Sequence, residues 1–195
     1  MLKNQIRIIG GEWRSRQITF TDIPGLRPTP SRVRETLFNW LQNDIPGSSC
    51  LDLYAGSGAL GIEAASRGAK SVVLVERDNI ACRTIKENLI KLKANQIDIV
   101  QNDVFRYLTG DAKTFDIVFL DPPFGKNLAA HSCQLLEDKG WLSRNAKIYV
   151  EMESGKNLSE SFLANWRLLK SKTAGEVGYY LFCHSSFGNK QLPIK

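Results

Sequence analysis

Residues Cys50–Gly61, reading Cys-Leu-Asp-Leu-Tyr-Ala-Gly-Ser-Gly-Ala-Leu-Gly, constrain the fold more than any other stretch of the chain. An apolar strand carrying one aspartate, Asp52, runs into a turn at Gly56 and Gly58 and then into a helix starting near Ala59. A lone carboxylate in such a strand is costly to bury without a partner. At the strand's C-terminal end it can instead face a ligand. The glycines let the backbone turn sharply and approach a bound molecule where a Cβ would collide. Gly56-Ser-Gly58-Ala-Leu-Gly61 also fits the G-x-G-x-x-G pattern of dinucleotide sites, with Glu76 lying 20 residues beyond Gly56. The stretch alone specifies a nucleoside-containing cofactor and leaves hydride or methyl chemistry open.

From residue 49 the rhythm is strand, turn, helix, repeated. Strands are predicted at 50–54, 72–75, 97–100, 115–120 and around 147–151, with helices around 59–67, 79–93 and 127–138. Continuous apolar strands alternating with helices imply a parallel sheet covered on both faces. The tail, Trp166–Lys172, a glycine-bearing turn at 175–178 and Tyr179–Cys183, predicts a terminal antiparallel hairpin. The fold class is α/β and Rossmann-like, with a mostly parallel seven-stranded sheet.

Four acids, Asp52, Glu76, Asp103 and Asp121, fall at or just past the ends of four consecutive predicted strands. In open α/β sheets the ligand lies outside those ends, where strand order reverses. Any one acid there is explained as a turn or cap residue; four together mark a site. Glu76 can accept from two ribose hydroxyls, Asp103 from an adenine amino group, and Asp52 can help hold a cationic methionine moiety. A ligand with adenosine and positive charge but no phosphates is expected, which favours S-adenosylmethionine over a dinucleotide. No lysine stands in the glycine turn to offset a pyrophosphate.

Asp121-Pro122-Pro123-Phe124 supplies the chemistry. The exocyclic amine of a base is a poor nucleophile, because its lone pair is delocalised into the ring. The Asp121 carboxylate and the Pro122 carbonyl, held by proline-restricted dihedrals, can accept its N–H groups and stabilise developing positive charge. Phe124 is placed to stack on a base swung out of its helix or loop.

The net charge of +6 is concentrated at the N-terminus, where residues 1–34 carry +5 of it. Ile6–Phe20 reads as two strands around a Gly10-Gly11 turn, with Arg7, Arg14 and Arg16 beside Trp13 to grip phosphates and stack on a base. Arg27 and Arg32 extend this basic surface, so nucleic acid is the expected partner. Pro24, Pro28 and Pro30 mark a linker ending at Ser31, the expected N-cap of a helix reaching about Gln42. The expected division is a basic RNA-binding hairpin extension over 1–28 and a catalytic domain over 29–195. No apolar run approaches a membrane span and the start lacks a signal-peptide core, which implies a cytosolic protein. The four cysteines and two histidines are scattered, so no metal site is expected. A monomer is the default. On these residues alone an adenine-N6 methyltransferase, a nicotinamide dehydrogenase and a non-catalytic RNA-binding protein remain alternatives.

Asp52-Leu-Tyr-Ala-Gly-Ser-Gly58 and Asp121-Pro-Pro-Phe124 resemble the cofactor and catalytic motifs of class I, amino-directed methyltransferases. Arg7–Arg14, Leu26–Phe38 and Gly175–Tyr180 narrow this, and together they resemble the bacterial small-subunit (16S) ribosomal RNA guanine-N2 methyltransferase family across nearly the whole chain. The resemblance implies direct in-line methyl transfer to guanine N2, with the base flipped out. It implies a cofactor site of Asp52, Ala55, Gly56, Gly58, Glu76, Arg77, Asp103, Val104 and Asp121, closed by Thr29 and Arg34 of the Thr29–Arg34 segment. Tyr54 and Ser15 stand where that family has phenylalanine and glycine; neither change is expected to remove an acceptor or a glycine turn.

Overall fold

The computed structural model describes residues 3–21, 29–124, 128–155 and 165–185. Strands β1 (Lys3–Arg7) and β2 (Gln17–Thr21) form an antiparallel pair, followed by helix α1 (Ser31–Trp40). The alternating section runs β3 (Ser49–Asp52), α2 (Ala59–Ser66), β4 (Ser71–Glu76), α3 (Asn79–Leu92), β5 (Ile97–Gln101) and α4 (Val104–Leu108). It continues through β6 (Phe115–Leu120), α5 (Leu128–Asp138) and β7 (Leu142–Glu153). β8 (Trp166–Ala174) and β9 (Val177–His184) form the antiparallel hairpin expected of the tail.

The seven-stranded sheet has the order β5-β4-β3-β6-β7-β9-β8, parallel except where β9 lies antiparallel between β7 and β8. Strand order reverses between β3 and β6, which opens a crevice at their C-terminal ends. Alternate strand residues feed two cores. Cys50, Val72, Leu74, Ile117, Phe119 and Tyr149 point to one face, under α1, α2, α3 and the N-terminal strands. Leu51, Val75, Val118, Leu120 and Val150 point to the other, under α4 and α5. No helix among the described residues is long and apolar enough to cross a membrane.

Local details depart from the sequence expectation for physical reasons. The tight Gly10-Gly11 turn is instead a longer connection over residues 8–16, because Trp13 turns inward and is 3% exposed. Gly11 lies at φ +77°, and a Cβ there would stand 1.8 Å from the Ser66 carbonyl oxygen, so glycine is required where this loop crosses the end of α2. Ser31 is the first residue of α1 rather than its cap; Pro30 precedes it and no side chain caps the helix. The short α4 was not expected, and β7 begins at Leu142, earlier than the apolar run 147–151 suggests.

Candidate active site

The turn after β3 is built from two glycines in the left-handed region, Gly56 at φ +53° and Gly58 at φ +77°. Glu76, at the end of β4, fastens it: Oε2 accepts from the Gly56 amide and Oε1 from the Asp78 amide, each at 2.8 Å. Gly61 lets α2 lie close on the sheet, since a Cβ there would stand 2.2 Å from Leu74 Cδ2. Ala55 is buried and its amide donates to the Val75 carbonyl at 3.1 Å.

Asp52, expected beside the cationic end of the cofactor, is enclosed in this structure. Its carboxyl is buried, 1% exposed, and Oδ2 accepts from the Gly61 amide at 3.1 Å. Burial, reinforced by the Asp121 and Glu76 charges and opposed by the Gly61 amide, pushes its pKa up to about 7. Its work in this structure is to tie β3 to the first turn of α2. Asp103 is exposed and caps α4, Oδ1 accepting from the Phe105 and Arg106 amides at 2.9 and 3.2 Å. Its second oxygen takes no part in that cap. Val104 is buried and Arg77 exposed.

Asp121 follows β6 immediately beside the crevice. The Thr29 hydroxyl donates to its Oδ2 at 2.9 Å, bringing the segment before α1 onto the Asp121–Phe124 stretch. Burial raises the Asp121 pKa above the usual carboxylate range, against the lowering effect of the Thr29 bond. Pro122 is buried, Pro123 exposed, and Phe124 is a 44% exposed aromatic at the edge of the site. Glu151 of β7 is a further buried acid next to this group, and no strand-end reading had singled it out. Tyr149 donates to its Oε1 at 2.8 Å, and burial and the Asp121 charge raise its pKa.

Arg34 does not reach into the crevice. It is 3% exposed, with Nε donating to the Thr29 carbonyl at 3.3 Å, Nη2 to the Arg7 carbonyl at 3.1 Å, and Nη1 lying 3.6 Å from Glu63 Oε2. Its contact within the Thr29–Arg34 segment is to the backbone of Thr29. Glu63, fully buried on α2, also accepts from the Ile9 and Gly10 amides and from Arg67 Nε, each at 2.8 Å. A buried anion with four donors around it replaces the water it has lost.

The family described as Conserved hypothetical protein 95 matches residues 6–183. Ribosomal RNA small subunit methyltransferase D of Escherichia coli (strain K12) is 47% identical, over 94% of this chain and 92% of that protein. The solved putative methyltransferase yhhF from Escherichia coli superposes with a TM-score of 0.85 at 45% identity, covering 94% of this chain and 100% of that one. The T. thermophilus 16S rRNA N2 G1207 methyltransferase, solved with AdoMet and guanosine, gives a TM-score of 0.71 at 25% identity, over 94% of this chain and 50% of that one. The chain belongs to the small-subunit ribosomal RNA methyltransferase D family.

Within this methyltransferase D family member, the basic residues of the N-terminal region divide into two sets. Arg7, Arg14, Arg16 and Arg32 are exposed. Arg16 is partly committed, its Nη2 donating to the Lys91 carbonyl at 2.5 Å. Trp13 is corrected: its ring packs in the core with Ile6, Ile8, Ile18 and Phe38 and has no face to offer a base. The arginines beside an aromatic looked like a nucleic-acid grip, but burying an indole outweighs leaving it wet. Arg27 lies outside the described residues. Among those residues, no three His, Cys, Asp or Glu side chains gather to hold a metal.

Proposed function

We propose that this protein transfers the methyl group of S-adenosylmethionine to the exocyclic N2 of a guanine in small-subunit (16S) ribosomal RNA. The observation carrying the reading is Asp121, placed at the switch point of strand order with its carboxylate held by Thr29. The residues at the crevice fit the cofactor. Glu76 keeps a further acceptor site on each oxygen for ribose hydroxyls, Asp103 keeps its second oxygen for an amine, and the glycine turn offers no cation for a phosphate. When bound, S-adenosylmethionine supplies an electrophilic methyl group on sulfur.

Asp121 and the Pro122 carbonyl accept the two N–H groups of the target amine and hold its nitrogen in line for transfer. Such positioning and charge stabilisation are the principal means by which a site without a covalent intermediate accelerates a reaction. Phe124, exposed at the rim, stacks on the flipped guanine. Arg7, Arg14, Arg16, Arg27 and Arg32 form the RNA grip of the 1–28 extension and the start of α1. The enzyme acts as a monomer in the cytoplasm, on ribosomal RNA either free or within an assembling subunit.

The test supplies labelled S-adenosylmethionine with small subunits, stripped ribosomal RNA or DNA from cells lacking this gene, and identifies the labelled nucleoside after digestion. N2-methylguanosine from subunits or ribosomal RNA is expected. N6-methyladenosine, or label in DNA alone, overturns the guanine assignment.

A further inference from the structure

The outermost strand of the sheet, β8, carries three exposed cations, Arg167, Lys170 and Lys172, and no acid. Simple alternation would send Arg167 to one face of the sheet and the two lysines to the other. A bulge prevents this. The register shifts between Leu168 and Lys170, so Arg167 pairs with Cys183, Lys170 with Leu181 and Lys172 with Tyr179. Those partners are alternate residues of β9, and residues directly opposite share a face. The extra residue therefore gathers all three cations on the face where Tyr179 and Leu181 join the core under α1. Leu168, Ser171 and Thr173, on the other face, are uncharged. Leu169 and Ala174 pack against the core and Trp166 is buried, so the cations stand on a fixed strand, about 7 Å apart. Among the described residues no ion pair engages them.

Register also fixes where this surface lies. Leu120 pairs with Val150, so Asp121 stands one residue beyond, level with Glu151. Glu151 pairs with Tyr179, and Tyr179 with Lys172. Lys172 is thus three strands from Asp121 along one row, about 14 Å at ordinary strand spacing. Helix α1 covers the ground between them. Phe38 packs on Phe119 with ring centroids 6.0 Å apart, and Trp40 stacks on Tyr179 at 5.6 Å. Lys172, one strand beyond Tyr179, is left uncovered. Arg32 is exposed three residues after Thr29, whose hydroxyl meets Asp121. On the opposite side of the crevice the N-terminal strands lie on α3, beside β4 and β5.

We propose that Arg167, Lys170 and Lys172 form a second RNA-backbone surface, holding the substrate strand on the side of the target guanine opposite the N-terminal extension. The inference rests on the reading of ribosomal RNA as the substrate. A strand with one base turned into the crevice continues in both directions, and a line of cations tracks its phosphates. Edge strands also carry charge to block pairing with another sheet. Either sign and either face would serve that duty. One sign gathered on one face by a bulge is what phosphates require.

The experiment measures affinity for stripped small-subunit ribosomal RNA against salt. Wild type is compared with Arg167→Gln/Lys170→Gln/Lys172→Gln and Arg167→Glu/Lys170→Glu/Lys172→Glu, after melting curves and calorimetric S-adenosylmethionine binding have shown the variants folded. The glutamine triple is expected to reduce the slope of log affinity against log salt by about two, at ~0.7 per single-strand phosphate contact. The glutamate triple keeps a charged edge and is expected to bind roughly tenfold or more weakly than wild type, raising KM while kcat at saturating RNA holds. A control with the same charge change, Lys70→Glu/Lys113→Glu/Lys139→Glu, alters exposed lysines just before β4, β6 and β7, at the far end of the sheet from the crevice, and is expected to bind near wild type. An unchanged slope in the glutamine triple, a glutamate triple that binds like wild type, or a control that binds as weakly as the glutamate triple overturns the surface. Either triple decides alone, so misfolding of one leaves the test intact. If wild type binds the RNA but makes no N2-methylguanosine, the guanine reading fails while the slope still judges β8.

Discussion

Glu76 Oε2 accepts the Gly56 amide at 2.8 Å, so the acid after β4 and the glycine turn after β3 are one unit. Its other oxygen holds the Asp78 amide at the same distance. A glutamine here must turn its NH₂ toward a backbone N–H. Hydrogen bonds to a charged group are worth about 1.5–3 kcal/mol, so Glu76→Gln and Glu76→Ala are both expected to weaken cofactor binding by roughly tenfold or more. Calorimetric titration checks this, and unchanged affinity removes Glu76 from the ribose site.

Asp121→Ala is expected to separate binding from chemistry. The carboxylate meets Thr29 rather than the glycine turn, and its proposed partner is the amine, so cofactor affinity should stay within a few-fold of wild type. Turnover should drop by about 10²–10³, the usual effect of deleting one preorganised charge-stabilising group. Single-turnover rates with saturating cofactor measure the second quantity directly.

Asp52 gives the fold a pH dependence of known sign. Its folded pKa is raised from 3.8 to about 7, chiefly by burial, so between those values the folded chain keeps a proton that the unfolded chain has lost. Stability therefore falls as pH rises through this window. At about 1.4 kcal/mol per pH unit, the effect is on the order of 4 kcal/mol. Asp52→Asn, which can still accept from Gly61, should flatten the curve of urea midpoint against pH between about 4 and 7. Asp121 and Glu151 slope the same way, so some decline remains.

Ser15 sits at φ +68°, in the left-handed region. The glycine expected at this position from the family resemblance is thus a glycine turn after all, and the serine carries a strain its sequence context did not reveal. Ser15→Gly is expected to raise stability by about 0.5–1 kcal/mol, the relief of the Cβ clash less the extra freedom of the unfolded glycine. Chemical denaturation of the two proteins decides it.

Trp13 and Arg14 are neighbours with opposite expected phenotypes. Trp13→Ala should cost about 3–5 kcal/mol of stability, as for other fully buried aromatics. Arg14→Ala should leave stability nearly unchanged and reduce the slope of log affinity for ribosomal RNA against log salt by about one. A slope unmoved by Arg14→Ala and Arg16→Ala places the RNA surface elsewhere.

The strand-end acids were legible because each is announced locally, by an apolar run that stops at a carboxylate; Glu76, Asp103 and Asp121 all follow that rule. Glu151 obeys it too, at the end of the apolar run 147–151. Its significance depends on β7 lying beside β6, a pairing that only the folded sheet creates. Glu63, a lone charge in an apolar helix, was not singled out in the sequence. Its partners, the Ile9 and Gly10 amides, lie 54 and 53 residues away, and backbone donors leave no mark in a sequence. Trp13 misled for a related reason. An indole among polar neighbours reads as surface, yet it is enclosed by residues distant in the chain.

The N-terminal strands and their connection bind Glu63, Ser66 and Asn88, none of which is adjacent in sequence. During synthesis they leave the ribosome ahead of their docking sites on α2 and α3, which are made some 50–70 residues later. Addition at about 5–20 residues per second imposes a wait of several seconds. Throughout that interval Ile6, Trp13 and Ile18 have no native core to enter. The exposed arginines between them are charges of the kind that keep an apolar nascent segment soluble until its partners exist.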